Sequence, residues 1–157
     1  MSGELEAGAE ADELRASVLE ALRGGMRSEL VLELRLYERR SGIIGMLGDR
    51  LVDEAVVVRT THRDPFEDAL VLEERVDGVE RAPAELADES ELLDELFRVR
   101  LPGIMALPEK RGELYVAARY RLSPFELTAG LRIVALFFDV GVRTSGWSVV
   151  SWLGGDP

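Results

Sequence analysis

The stretch MRSELVLELRLY, residues Met26 to Tyr37, decides the fold class. Met26, Ser28, Leu30, Leu32, Leu34 and Leu36 alternate with Arg27, Glu29, Val31, Glu33, Arg35 and Tyr37. A period of two sends these sets to opposite faces of an extended chain. The leucine set is apolar and reads as core. The other set carries two arginines and two glutamates and reads as a face turned to water. The segment is therefore expected to be a long, half-buried β-strand.

Outward from this strand, the elements follow from local signals. Upstream, Leu14, Val18 and Leu22 fall at i, i+4 and i+8, which predicts a helix over about 12–23. Ser17 and Glu20 have capping-box spacing, so a start at Ser17 is the alternative. Gly24-Gly25 stop the helix. Residues 1–11 read as a flexible acidic tail and 12–157 as a single β-rich domain.

Downstream, Ser41 to Arg50 (SGIIGMLGDR) is a glycine-punctuated loop, and Leu51 to His62 is a second strand rich in β-branched residues. Asp64-Pro65 turns it. A third strand spans Ala69 to Val76, and Asp77-Gly78 marks a turn. Residues 79–90 read as an acidic surface loop. A second helix is expected over about 89–98, with Asp88 and Glu91 as cap and reciprocal partner and Leu92, Leu93, Leu96 and Phe97 as its buried stripe. Pro102 and Gly103 are expected to end it. Glu113 to Leu122 alternates as a fourth strand, and Trp147 to Trp152 is a terminal strand. Residues 131–142 fit a strand or a helix; Val, Ile and Phe enrichment favours strand. The sum is a mainly β fold: an antiparallel β-sandwich of about six strands with an N-terminal helix and one inserted helix.

Composition narrows the chemistry. The 157 residues contain no Cys, Asn or Gln, one His (His62) and one Lys (Lys110). Without Cys there is no thiol nucleophile, disulfide or zinc finger. The formal net charge of -11 disfavours phosphate backbones as ligands, so no nucleic-acid partner is expected. No stretch reaches the apolar length that crosses a bilayer as a helix. Residues 1–13 are acidic and small, unlike a signal peptide. The compartment is thus cytoplasmic, or a leader has been removed.

Order and pattern carry a family resemblance. A helix ending in glycine runs into the alternating strand (EALRGGMRSELVLELRLYERR); then come VVRTTHRDPFEDALVLEE, ELLDELFRVRLP and LYVAARYRLSP. This order resembles the bacterial family called domain of unknown function 4390, particularly its spirochaete branch, over about residues 17–147. The resemblance implies an exported protein of the periplasm or cell envelope. It implies no catalytic residues.

His62-Arg63-Asp64 has the spacing of an imidazole oriented by a carboxylate, but no nucleophile accompanies it, so a structural His is favoured. Asp64, Glu67 and Asp68 share one turn but lack a calcium-loop pattern, so a solvated acidic turn is favoured. The doublets Asp53-Glu54, Glu67-Asp68 and Glu73-Glu74 point to opposite faces of a strand and make no acid pair. Arg119 and Arg121 share a strand face and are candidate contacts for an anion or partner. Arginine–glutamate ladders are the plainer reading, for them and for Arg27 and Arg35. Phe137, Phe138, Trp147 and Trp152 are expected in the core. Ile43, Ile44, Met46 and Leu47, in the glycine-flanked loop, are the candidate binding patch. The function expected is a non-catalytic envelope domain that binds a protein partner, with no metal or cofactor. The alternative is a small apolar ligand or lipid held between the 89–98 helix and the sheet.

Overall fold

The computed structural model describes residues 8–40, 48–101, 103–106, 113–123 and 143–153. In chain order these form α1 (Gly8–Arg23), β1 (Ser28–Glu38), β2 (Arg50–Arg63), β3 (Leu70–Val76), β4 (Val79–Glu80), β5 (Ala84–Leu86), α2 (Glu89–Phe97), β6 (Leu114–Ser123), β7 (Arg143–Thr144) and β8 (Ser148–Leu153). The fold is mainly antiparallel β with an N-terminal helix and one inserted helix, as its patterns predict.

The division into two sheets does not appear among the described residues. All eight strands belong to one sheet, with β1 between β2 and β6. β3 lies outside β2, and β4 and β5 pair with its outer edge; β7 and β8 pair with the outer edge of β6. The second layer is helical. Leu14, Val18 and Leu22 of α1 and Leu92, Leu93 and Leu96 of α2 share one core with the strands. Strand periodicity fixes which residues are apolar together, but not whether a helix or a strand covers them.

The predicted face of β1 holds. Leu30, Leu32, Leu34 and Leu36 are 0–2% exposed. Leu34 sits opposite Ala55 on β2 and Ala118 on β6, so small residues flank the large one. Val57, Leu72, Val116 and Leu122 extend the same buried face.

The helix ends show which local signals operate. α1 begins at Gly8, inside the stretch expected as tail, and Ser17 lies within it. Its hydroxyl donates to the Glu13 carbonyl one turn back, so it is not a cap. The Gly24-Gly25 stop is a Schellman closure: Met26 N donates to the Ala21 carbonyl and Gly25 N to that of Leu22. Gly25 has φ +72°, which glycine adopts without a Cβ clash. Asp88 caps α2 by accepting from Glu91 N at 2.8 Å, and Glu91 reaches back to Ala87 N at 2.9 Å.

α2 ends at Phe97, well before Pro102 and Gly103, and another group satisfies its last carbonyls. Arg59 is 4% exposed and lies on the core face of β2, in alternation with Ala55, Val57 and Thr61. Its Nη1 donates to the carbonyls of Glu95 (3.0 Å), Leu96 (2.8 Å) and Arg98 (2.7 Å). Its Nε and Nη2 reach Glu74 of β3 at 2.7 and 2.6 Å. Glu74 also takes Arg81 at 2.8 Å, and Arg81 donates to the Gly103 carbonyl. One buried cation thus ties the C-terminus of α2 to the sheet, where the helix dipole favours positive charge.

Residues 79–90, expected as loop, contain β4 and β5. Strands of two and three residues are too short to show a period. Residues 131–142 and most of the loop at 41–50 lie outside the described residues.

Thr61 offers a test of core polarity. It is fully buried and its Oγ1 has no hydrogen-bond partner among the described residues. An unsatisfied buried hydroxyl costs about 1–3 kcal/mol. Thr61→Val keeps the shape and removes the hydroxyl. The expected result in urea unfolding is a gain of roughly 1 kcal/mol; a loss of similar size would mean that the hydroxyl is satisfied.

Candidate functional site

The two helices cover one face of the sheet. The other face has no covering element among the described residues. It carries the second residue set of each strand, including Glu33, Arg35 and Tyr37 of β1 and Tyr115, Arg119 and Arg121 of β6.

Trp147 lies on this face, in the connection between β7 and β8. Ser145 pins the chain before it: its N–H donates to the Tyr120 carbonyl and its Oγ accepts from Tyr120 N, both at 2.9 Å. Gly146 follows, and the chain reaches β8 at Ser148 with Trp147 38% exposed. The guanidinium groups of Arg35 and Arg119 lie over the ring, 4.4 and 5.0 Å from its centroid. Positive charge over the electron-rich ring face is attractive. Each arginine is also paired across strands. Arg119 meets Glu33 at 2.6 Å and Arg35 meets Glu54 at 3.6 Å. The ladder reading of these arginines is therefore correct, and the ladder carries an aromatic ring on top of it. The Arg119 Nε is buried and has no hydrogen-bond partner among the described residues.

Toward the β1–β2 loop the face becomes aromatic. Tyr37 and Tyr115 stack, with centroids 5.3 Å apart and planes 19° from parallel. The Tyr115 hydroxyl donates to Asp49 at 2.8 Å, and the same carboxylate accepts from Arg40 N at 3.2 Å. Asp49 thereby joins the two ends of the loop and anchors them to β6. These bonds hold the Asp49 carboxyl below its ordinary range, Tyr115 contributing most. Burial, then the bond to Asp49, pushes the Tyr115 phenol up to about 12. A phenol raised in the folded state stabilises it fully below pH ~10, the unfolded value, and loses that contribution as pH climbs toward the folded value. In an absorbance titration Tyr115 is expected to ionise after an ordinary phenol, and Asp49→Asn to bring it down. Three coincident phenol titrations would contradict the Asp49 bond.

The residues expected to be functional divide as follows. Arg119 and Arg121 both lie on the open face. Arg119 touches Trp147; Arg121 is exposed opposite Val31, with no ion pair among the described residues. Ile43, Ile44, Met46 and Leu47 lie outside the described residues. His62 sits on β2 away from Trp147. Asp64 uses Oδ1 to accept from Phe66 N and Glu67 N, and Asp68 pairs with Arg63. No metal-holding group of three acidic or imidazole side chains occurs among the described residues.

Trp147 corrects the expectation that it is a core residue; the side chain of Trp152 lies outside what the structure describes. Ser145-Gly146 before Trp147 breaks strand pairing, so no alternation in the sequence assigns it a face. Phe137 and Phe138 lie outside the described residues. The space between α2 and the sheet, where an apolar ligand would sit, holds the helix's own Leu92, Leu93 and Leu96. A polar groove of about 430 Å³ includes Arg27, Glu29, Thr60, Glu73, Arg75 and Arg81 in its lining. Arg75 and Arg81 are paired to Glu80 and Glu74 there.

No family model, curated protein or solved structure matches this chain. No helix among the described residues is long and apolar enough to cross a membrane.

Proposed function

We propose that this chain is a non-catalytic binding domain that receives a protein partner on the open face of its sheet. One observation carries the reading: Trp147, partly exposed and overlaid by Arg35 and Arg119, beside the Tyr37–Tyr115 stack. Trp, Tyr and Arg are the residue types in which interface binding energy concentrates. The cross-strand pairs and stacking hold these side chains in place before any partner arrives, which lowers the ordering cost of association. Val56 and Val149, both about half exposed, add apolar area to the same face. The resemblance in element order to an exported bacterial family supports the cell envelope as the compartment.

Trp147→Ala is the direct test. The ring is too exposed to hold the core together, so the melting temperature is expected to change little. Retention of envelope proteins by the immobilised domain is expected to fall at least tenfold, as for a central aromatic anchor worth about 2 kcal/mol or more. Equal retention by wild type and variant would sink the proposal, as would a collapse in stability, which would make Trp147 a core residue. An epitope tag recovered from the cytoplasmic fraction would refute the envelope assignment separately.

A further inference from the structure

We propose that strand β8 pairs with β8 of a second copy of this chain, joining two sheets edge to edge. The two edges of the sheet are treated differently. Along β3 the edge is broken into β4 and β5, two and three residues long. Glu80, Arg81, Pro83 and Glu85 occupy that margin. Short strands, charge and proline are the features that keep an edge from recruiting a foreign strand.

On the opposite margin β7, two residues long and carrying Arg143, has the same character, but β8 does not. β8 is a strand of six residues, Ser-Val-Val-Ser-Trp-Leu, without charge or proline. It pairs inward with β6, and its outer row of backbone groups has no strand partner among the described residues. β8 also lies inside residues 144–155, the longest run in the chain without Asp, Glu, Lys or Arg.

A second copy fits this edge better than a foreign strand. A strand turned by a two-fold axis perpendicular to it lies antiparallel to itself, so the geometry needs no second sequence. The net charge of -11 opposes self-association, and an uncharged strand is where two such chains meet with the least repulsion. An edge built for a foreign strand would gain steering from charges, and β8 offers none. The β6–β8 register shifts between Val116 and Ala117, leaving Val150 as an extra residue that adds local twist. With only six residues on each side, the contact belongs among weak, concentration-dependent associations. The pairing goes beyond the partner reading and does not depend on it. Its axis stands normal to the sheet, so both open faces, each with its Trp147, point the same way.

The test uses the purified full chain. Sedimentation velocity over a rising micromolar series is expected to show a species of twice 17.4 kDa growing with concentration. Val149→Lys, at a half-exposed position, is expected to abolish that species without lowering the melting temperature. The chain has no cysteine, so single replacements report proximity without background. A flexible bis-maleimide is expected to link Val149→Cys into dimers and to leave Val79→Cys, exposed on the other edge, monomeric. A wild type that stays monomeric throughout would overturn the proposal. So would a dimer that persists in Val149→Lys while Val149→Cys goes unlinked, since association would then use another surface.

Discussion

Arg59→Ala is expected to destabilise the protein by about 3–5 kcal/mol, the cost of leaving a buried charge network without one partner. Arg59 is 4% exposed, and its guanidinium serves two structures together. It neutralises Glu74, whose side chain is 17% exposed, and it satisfies the carbonyls that end α2. Removing it leaves three backbone acceptors short of a donor and Glu74 with Arg81 alone. In urea unfolding the midpoint should fall with an unchanged slope, and the melting temperature should fall by about 6–20 °C. Arg59→Lys keeps the charge but not the planar fork, so it should recover only part of the loss. Arg59→Met combined with Glu74→Leu should cost less than Arg59→Ala, because no charge is then stranded. A loss below about 1 kcal/mol would place Arg59 among solvent-exposed ion pairs.

The second large effect is Leu34→Ala, expected to cost about 2–5 kcal/mol. Leu34 is 1% exposed at the middle of the central strand, between Ala55 and Ala118. Those neighbours are already small and cannot grow into the space, so a cavity remains. Leu32→Ala, beside Val57 and Tyr120, falls in the same range. Near-neutral unfolding midpoints for both would mean that the two faces of β1 are exchanged. Val31→Ala, on the open face, should cost much less than either.

Much of this fold is written in local patterns. The alternation of residues 26–37 locates the central strand and its core face, because a one-residue slip would bury Glu33 and Arg35. Asp88 and the stripe Leu92, Leu93, Leu96 locate α2, and Gly24-Gly25 locate the end of α1. What covers the core face was not legible. An apolar stripe on α1 shows that the helix docks, but not that among the described residues two helices, rather than a second sheet, cover the core face. Arg59 could have been read from the run Ala55, Val57, Arg59, Thr61, which places an arginine in register with core residues. Its partners could not, since the α2 carbonyls lie 36 to 39 residues away and Glu74 lies on another strand. Within the candidate site, the arginine–glutamate ladder was legible from interleaved charges. Trp147 was not, because the period of two stops at Ser145-Gly146 and gives a following aromatic no face.

Site-specific photo-cross-linking in intact cells tests the open face most directly. A photoreactive residue at Val56 or Val58 samples that face beside the ladder; one at Glu20 of α1 or Asp94 of α2 samples the helical side. The account predicts a discrete protein adduct from Val56 and Val58, absent from Glu20 and Asp94, and lost when Trp147→Ala is combined with the probe. Adducts from the helical positions alone, or an open-face adduct indifferent to Trp147, would contradict it.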